Sequence, residues 1–299
     1  MRRGVLLCSL RLVAVFVASV ALESPVQEPL PLDPAVELGR FSNGLAYYVR
    51  GNREPRNRAE LWLAVRAGSV LESDRQLGLA HFVEHMAFNG TRSFARNDLI
   101  DYLESIGMRF GPDVNAYTSF DETVYTLQVP TDDPAVFASA FQVLSDWAFG
   151  ISFEDEEIER ERGVVVEEWR RGRGADARMR DVQLPLLLGP SRYADRLPIG
   201  SPDVLLNAAP ELLREFYRDW YRPELMAVIA VGDFDVPTVQ ALISRYFDVP
   251  VDAGAGAPER PTYRIPDHAE TRVSAVTDPE AGRSERRWTG EWRRACQSP

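Results

Sequence analysis

Apolar and polar residues alternate along several stretches of the chain, a pattern that predicts β-strands. The stretch VELGRFSNGLAYYVRGN at 36–52 predicts a hairpin, because Asn43-Gly44 favours a two-residue turn and Tyr47-Tyr48 belongs to the returning strand. Three further stretches predict strands: AELWLAVRAGSV at 59–70, VNAYTSFDETVYTLQVPT at 114–131 with two strands joined around Ser119–Glu122, and the buried strand LMAVIAVGD at 225–233. The sequence therefore predicts a sheet that is built partly from hairpins.

Between these strands, apolar residues recur at helical spacing. The predicted helices span 77–89, which Asn89-Gly90 ends, 95–107, which Gly107 ends, 134–147, a long charged helix from Glu154 into the 180s, 209–219 and 236–246. Strands and helices are mixed along the chain. We therefore predict an α+β fold with a mostly antiparallel sheet that helices cover on one face.

The two ends of the chain differ from its middle. A basic start, an apolar run and small residues predict a cleaved signal peptide at 1–21 and a periplasmic or secreted protein. A membrane anchor or a buried strand is the alternative, but Arg11 leaves only about ten apolar residues after it, so no stable membrane span is expected after cleavage. We predict a domain at 33–249, a Pro/Gly/Ala-rich linker at 250–266, and a truncated start of a second domain with an irregular tail at 267–299.

The composition is that of an ordinary globular protein, with 45% hydrophobic and 26% charged residues. The formal net charge of −11 argues against a nucleic-acid-binding protein, which needs a basic face to neutralise phosphates. The two cysteines, Cys8 and Cys296, lie near the two ends of the chain. Neither an internal disulfide framework nor a cysteine-based zinc site is therefore expected.

Two of the three histidines, His81 and His85, lie in the stretch GLAHFVEHMAFNG at 78–90. Residues i and i+4 share one face of a helix, so both imidazoles can bind one ion, and Glu84 beside them can reach a water on that ion. Zinc lowers the pKa of such a water, and a nearby carboxylate can take its proton. An amphipathic core helix that happens to carry two imidazoles is the alternative, but the spacing together with Glu84 favours a Zn²⁺ site.

A zinc site needs a further protein ligand, and the long acidic helix is the better source of it. His268 is poorly placed, because it lies beyond the predicted linker. Glu161 and Glu168 are two helical turns apart and so share a face, while the valines between them provide a packing surface. Glu167 points roughly 100° away from that face. Spacing alone excludes Glu167 only weakly.

Four stretches occur in an order and spacing that match one known family. They are GLAHFVEHMAFNGT, GPDVNAYTSFDETVYTLQVP, ERERGVVVEEWR and WYRPELMAVIAVGDFD. With them the chain resembles the pitrilysin/insulinase zinc metallopeptidases, which include the mitochondrial processing peptidase and many bacterial periplasmic enzymes. The resemblance implies that His81, His85 and Glu168 bind Zn²⁺. It also implies that Glu84 is the general base and that Glu161 is a supporting carboxylate.

The resemblance also bears on the substrate. Asn115, Ala116 and Tyr117 look like the family's edge strand, beside which a peptide or an unfolded chain lies extended and is held by main-chain hydrogen bonds. An ordinary hairpin strand is the alternative. We therefore expect a zinc-dependent metalloendopeptidase that acts on extended peptides.

Family members use two such domains that face each other like a clamshell, whereas this chain has the zinc half and only the start of the next domain. We therefore expect a fragment of a longer enzyme. The alternatives are a catalytic subunit that needs a partner chain for the second half, and a non-catalytic homologue that only binds. The intact motif residues argue against the non-catalytic homologue.

Overall fold

The computed structural model describes residues 31–96, 98–250, 258–268, 270 and 272–281. The chain divides into two units, Met1–Asp33 and Pro34–Pro299, and nearly all described residues belong to the second. The predicted signal peptide and most of the predicted irregular tail lie outside the described residues. The predicted domain and linker boundaries stay predictions. None of the helices in the described ranges is both long enough and apolar enough to cross a membrane.

The described residues form one sheet of six strands. The strands are β1 (Glu37–Arg40), β2 (Ala46–Gly51), β3 (Arg58–Val65), β4 (Val114–Thr118), β5 (Thr123–Pro130) and β6 (Met226–Gly232). Their spatial order is β1-β2-β6-β3-β5-β4. Only the pairing of β2 with β6 is parallel among these strands, so the predicted mostly antiparallel sheet is confirmed. β4 lies at the edge of the sheet.

Eight helices accompany this sheet in the described part of the chain. They are α1 (Leu79–Met86), α2 (Asp98–Ser105), α3 (Pro134–Phe149), α4 (Asp155–Arg171), α5 (Ala175–Leu188), α6 (Pro202–Asn207), α7 (Pro210–Trp220) and α8 (Val236–Phe247). Short 3₁₀ turns occur at Ser69–Leu71, Arg192–Asp195 and Pro223–Leu225.

The structure corrects the helix prediction at two places. The predicted single helix from Glu154 into the 180s is wrong, because α4 ends at Arg171 and α5 begins at Ala175. Gly172 and Gly174 occupy the cap positions between them, and each glycine inside a continuous helix costs about 1 kcal/mol relative to alanine. The short helix α6 was not predicted, although Pro202 in its first turn marks a helix start.

Alternate residues of the central strands form one buried face of the sheet. The buried positions are Ala59, Leu61, Leu63 and Val65 in β3 and Met226, Val228 and Ala230 in β6. α3 packs against β3 and β5, and α8 packs against β2. On the opposite face, Trp62 keeps 40% of its surface exposed. The helical layer therefore lies on one side of the sheet, as the sequence predicts.

α1 lies where the sheet edge meets two helices, since it contacts β4, β5, α4 and α7. Its buried residues are Leu79, Ala80, Phe82, Val83, Glu84 and Met86. His81 and His85 remain partly exposed on the rest of its surface. Packing of the apolar stripe therefore fixes the helix, and the two imidazoles are left to face a cleft.

Two glycines allow a later segment to pass close to the start of α1. Gly78 directly precedes the helix with φ +95°, and Gly200 has φ +72°, both in the left-handed region that glycine tolerates. A Cβ on Gly200 would lie 2.3 Å from the Cα of Gly78. The amide of Ser201 donates a hydrogen bond to the carbonyl of Leu77 at 3.2 Å, which ties the two segments together.

Gly200→Ala tests this close approach. We expect the free energy of unfolding to fall by about 1–2 kcal/mol for the left-handed backbone, and by about 1–3 kcal/mol more for the steric overlap. Gly107→Ala is the matched control, because Gly107 has φ +84° and nothing lies within 4 Å of the added Cβ. Urea unfolding of both variants measures the difference, and equal losses would contradict a requirement for the contact.

Candidate metal centre

α1 and α4 together bring two imidazoles and a carboxylate to one point. The rings of His81 and His85 meet edge to face, with centroids 4.7 Å apart. The Nε2 atom of His81 lies 3.8 Å from Oε1 of Glu168, and Nε2 of His85 lies 3.2 Å from Oε2. One ligand atom from each of the three residues lies within 4.8 Å of the other two. This arrangement can hold one metal ion.

α4 packs against α1, and its buried residues determine which carboxylates face the imidazoles. Val165 and Val166 are buried. Glu167 turns away and forms an ion pair with Arg170, whereas Glu168 lies 3.2 Å from Nε2 of His85. The structure therefore places Glu168, not Glu167, beside the two histidines.

Glu161 contacts the back of one imidazole. Its Oε1 lies 2.7 Å from Nδ1 of His85. With the Nδ1 proton donated to this carboxylate, the other ring nitrogen, Nε2, faces Glu168, and from there it can bind a metal that displaces its proton. Burial disfavours the charged ring, but hydrogen bonds to Glu161 and Glu168 outweigh it and raise the pKa of His85 to about 9.

The other imidazole is held neutral. Burial and the neighbouring His85 lower the pKa of His81 to about 4. Its Nδ1 is buried and has no hydrogen-bond partner among the described residues. A neutral imidazole is the form that binds a metal; His81 already has this form, and His85 reaches it when a metal displaces the Nε2 proton. Two imidazole nitrogens with a carboxylate oxygen are a ligand set that zinc favours. The residues present therefore fit a zinc ion.

Glu84 lies on α1 with the two histidines, and only 7% of its surface is exposed. Its Oε2 accepts a hydrogen bond from Oγ1 of Thr118 on β4 at 2.6 Å. Burial raises the pKa of the Glu84 carboxyl, and the bond from Thr118 opposes that rise. A carboxylate with a raised pKa beside a metal site is suited to accept a proton near neutral pH.

These side chains line a single open cleft of about 900 Å³. Asn115, Ala116 and Tyr117 line the same cleft from the edge strand β4. Tyr117 is half-exposed, and its hydroxyl donates to Glu122 at 3.0 Å. The three residues predicted to bind substrate therefore lie in the same cleft as the candidate metal ligands.

Sequence reasoning missed the apolar part of this cleft. Phe88, Ile100, Phe110, Val164 and Ile199 also line it, and Phe110 is 55% exposed. These residues come from five separate segments, so no periodic pattern joins them. Only Phe88 follows the histidine motif closely enough for its helix to have suggested a place in the cleft.

A buried carboxylate at the start of α1 was also missed. Glu72 is fully buried, and its carboxyl oxygens accept hydrogen bonds from the backbone N–H groups of Gly78 at 3.0 Å and Ala80 at 2.8 Å. Arg192 and Arg196 donate to the Glu72 carbonyl. Burial raises the pKa of Glu72 to about 8. This carboxyl group holds the first turn of the helix that carries both imidazoles.

Known proteins resemble this chain over most of its length. The family described as Insulinase (Peptidase family M16) matches residues 47–183, and the Peptidase M16 inactive domain matches residues 207–285. A "Zinc protease PQQL-like" of Arabidopsis thaliana is 44% identical over 255 residues, which cover 85% of this chain and 27% of that protein. The "Probable zinc protease PqqL" of Escherichia coli is 44% identical over 214 residues, which cover 72% of this chain and 23% of that protein.

A solved structure has a similar fold. The first half of the periplasmic protease PqqL from Escherichia coli superimposes with a TM-score of 0.75 and 41% identity, over 81% of this chain and 51% of that one. The matched part of this chain corresponds to 27% of the length of the Arabidopsis thaliana relative and 23% of the length of the Escherichia coli relative. The chain thus spans about a quarter of the length of these two curated relatives.

Glu168→Gln tests the third ligand. We expect its zinc affinity at pH 7 to fall by at least the roughly 10–100-fold that is typical when a supporting group of a metal site is lost. Glu167→Gln is the matched control and should bind zinc as the unchanged chain does, because its side chain turns away from the imidazoles. Competition with a chromophoric chelator measures both, and a loss confined to Glu167→Gln would reverse the assignment.

Glu72→Gln tests the buried carboxyl group at the start of α1. The pKa of Glu72 is about 8 in the folded chain, against 4.5 for an ordinary glutamate, so between these values the folded state holds a proton that the unfolded chain has lost. The free energy of unfolding should therefore decrease as pH rises through this window and level off above about pH 8. The glutamine variant should lack this decrease. Melting temperatures measured from pH 5 to 9 would contradict the assignment if both proteins had the same slope.

Proposed function

We propose, from the premise that this chain belongs to the insulinase family of peptidases (M16), that it hydrolyses peptide bonds with a zinc ion held by His81, His85 and Glu168. The observation that carries the proposal is the convergence of these three side chains within 4.8 Å, beside Glu84 and an edge strand. The names of the relatives support it, since one is called a zinc protease and another a probable zinc protease.

In this proposal the two imidazoles present Nε2 and Glu168 presents a carboxylate oxygen to the metal. When bound there, zinc acts as a Lewis acid that lowers the pKa of water and polarises a peptide carbonyl. Glu161 keeps His85 in the required orientation through the 2.7 Å contact with Nδ1. Its role is therefore to support a ligand and not to contact the substrate.

Glu84 is the proposed general base. Its carboxylate accepts the proton of the attacking water and passes it to the leaving amine when the peptide bond breaks. Burial favours this role, because a raised pKa brings the carboxyl closer to the working pH. Glu84 and His85 are consecutive residues of α1. The helix therefore fixes the position of the proposed base relative to a proposed metal ligand.

The proposed substrate is an extended peptide or an unfolded chain. β4 is the edge strand of the sheet and borders the cleft, so a substrate strand can pair with its main chain at Asn115, Ala116 and Tyr117. Such a strand would replace the Asn115 side-chain oxygen, which accepts from the Ala116 N–H at 2.9 Å. Recognition through the main chain makes little demand on the substrate sequence. The apolar lining from Phe88, Ile100 and other residues offers space for apolar side chains.

We further propose that the chain is the zinc half of a two-domain clamshell, with the domain at 33–249 followed by a linker at 250–266 and the start of a second domain at 267–299. The relatives are several times longer, which supports a second half in the same chain or in a partner subunit. The periplasm is the proposed location, supported by the N-terminal sequence pattern and by the periplasmic PqqL protease of Escherichia coli.

Glu84→Gln tests the proposed chemistry. We expect hydrolysis of an internally quenched peptide to fall by about 100-fold or more, since a general base contributes about 10²–10⁴-fold. Zinc content should not change, because Glu84 is not a proposed ligand. Glu167→Gln is the control and should retain activity. Peptide cleavage that survives in Glu84→Gln, or that a zinc chelator does not inhibit, would contradict the proposal.

A further inference from the structure

Thr118 lies at the end of β4, where the substrate strand meets the metal helix. Its hydroxyl donates to Oε2 of Glu84 at 2.6 Å, within the range of about 2.5–2.7 Å that is usual for a charge-assisted bond from a hydroxyl to a carboxylate. We propose that Thr118 is a positioning residue that fixes the Glu84 carboxylate, with one oxygen held by Thr118 and the other free to face water. The inference rests on the proposed function, because it assigns Glu84 as the base.

The Thr118 hydroxyl is itself held by the core. Thr118 pairs directly with Thr123 across the β4–β5 hairpin, and their hydroxyl oxygens are 3.3 Å apart. Thr123 is completely buried and donates to the carbonyl of Ala67 at 2.9 Å. A β-branched side chain has few χ1 rotamers to choose from. The hydroxyl that binds Glu84 is therefore fixed by both its own stiffness and a buried neighbour.

The number of hydroxyl protons determines which group donates in each of these hydrogen bonds. Each threonine hydroxyl has one proton, and Thr123 gives its proton to the Ala67 carbonyl. The Thr118 proton goes to Glu84, so the 3.3 Å contact between the two hydroxyls has no proton of its own and is a packing contact. A carboxylate can only accept, so this donor matches the ionised form of Glu84, which a base must adopt.

The hydroxyl groups behind Thr123 do not lead to solvent. Tyr221 lies beside Thr123, and its hydroxyl lies 2.8 Å from that of Tyr125. Tyr125 is fully buried. Among the described residues this series therefore ends in the core, so its role is to orient Glu84 and not to conduct protons.

This geometry separates catalysis from binding. Thr118 directly follows Tyr117 on the strand proposed to pair with substrate, but main-chain pairing does not require the Thr118 hydroxyl. Loss of the hydroxyl should therefore reduce kcat and leave KM nearly unchanged. Zinc binding should also be unaffected, because the hydroxyl contacts Glu84 and none of the three candidate ligands.

The test compares Thr118→Val, which keeps the shape but lacks the donor, with Thr118→Ser, which keeps the donor. We expect kcat to fall by about 10–100-fold in the valine variant, the effect of losing one hydrogen bond to a charged group. The serine variant keeps the donor and loses only the stiffness of the β-branched side chain, so its kcat should fall by no more than about threefold. Thr131→Val, just beyond the far end of β5, is the control and should have no effect. Zinc content by mass spectrometry should be equal in all four proteins.

Crystal structures of the same proteins provide a readout that does not depend on activity. The Glu84 carboxylate should keep its place in the serine variant and rotate away in the valine variant. A valine variant with unchanged kcat, or with Glu84 superimposed on its original position, would overturn the proposal. If the unchanged chain cleaves no peptide, the proposed function fails, while the crystal structures still decide the role of Thr118. Thr118→Ala replaces the valine variant if that protein does not fold.

Discussion

The carboxylates that the fold places next to two imidazoles, with little access to water, are the constraint on which the rest of this structure depends. Glu84 is buried, Glu161 is only 16% exposed, and both Nε2 atoms lie within 4 Å of Glu168. Carboxylates in such surroundings are costly unless a proton or a cation compensates them. The imidazolium of His85 is one source of compensation, and a divalent cation that displaces its proton is a stronger one.

The surrounding fold holds these groups in place against their mutual repulsion. α1 buries its apolar stripe, α4 presents two carboxylates from a helix face packed on α1, and β4 supplies Thr118 from the opposite side. The first turn of α1 is fixed by Glu72 and by the close passage of Gly200. The site therefore depends on three elements that are distant in sequence, and each is held by contacts outside the site.

The parts of the site that obey a local period could be predicted from the sequence. His81 and His85 at i and i+4, and Glu161 and Glu168 two turns apart, are set by helix geometry alone. The same reasoning failed at the end of the acidic helix. It predicted one helix across Gly172 and Gly174, whereas these glycines occupy the caps of two separate helices. Spacing also could not separate Glu168 from Glu167, which depends on how α4 is rotated against α1.

Residues whose partners are distant in sequence could not be predicted. Thr118 contacts Glu84 only because β4 lies beside α1, and Glu72 reaches the start of α1 across a loop that carries no recognised cap motif. The apolar lining of the cleft comes from separate segments for the same reason. The resemblance to a known family supplied the roles of residues, whereas the sheet order and the packing of α1 supply the reason why they meet.

The central claim is that His81, His85 and Glu168 together hold one zinc ion, and X-ray absorption spectroscopy of the zinc-loaded full chain tests it most directly. We predict one tightly bound zinc per chain, with the scattering pattern of two imidazoles and additional oxygen ligands, and a loss of one imidazole in His85→Ala. Zinc that is surrounded by oxygen alone, or whose spectrum is the same in His85→Ala, would contradict the account.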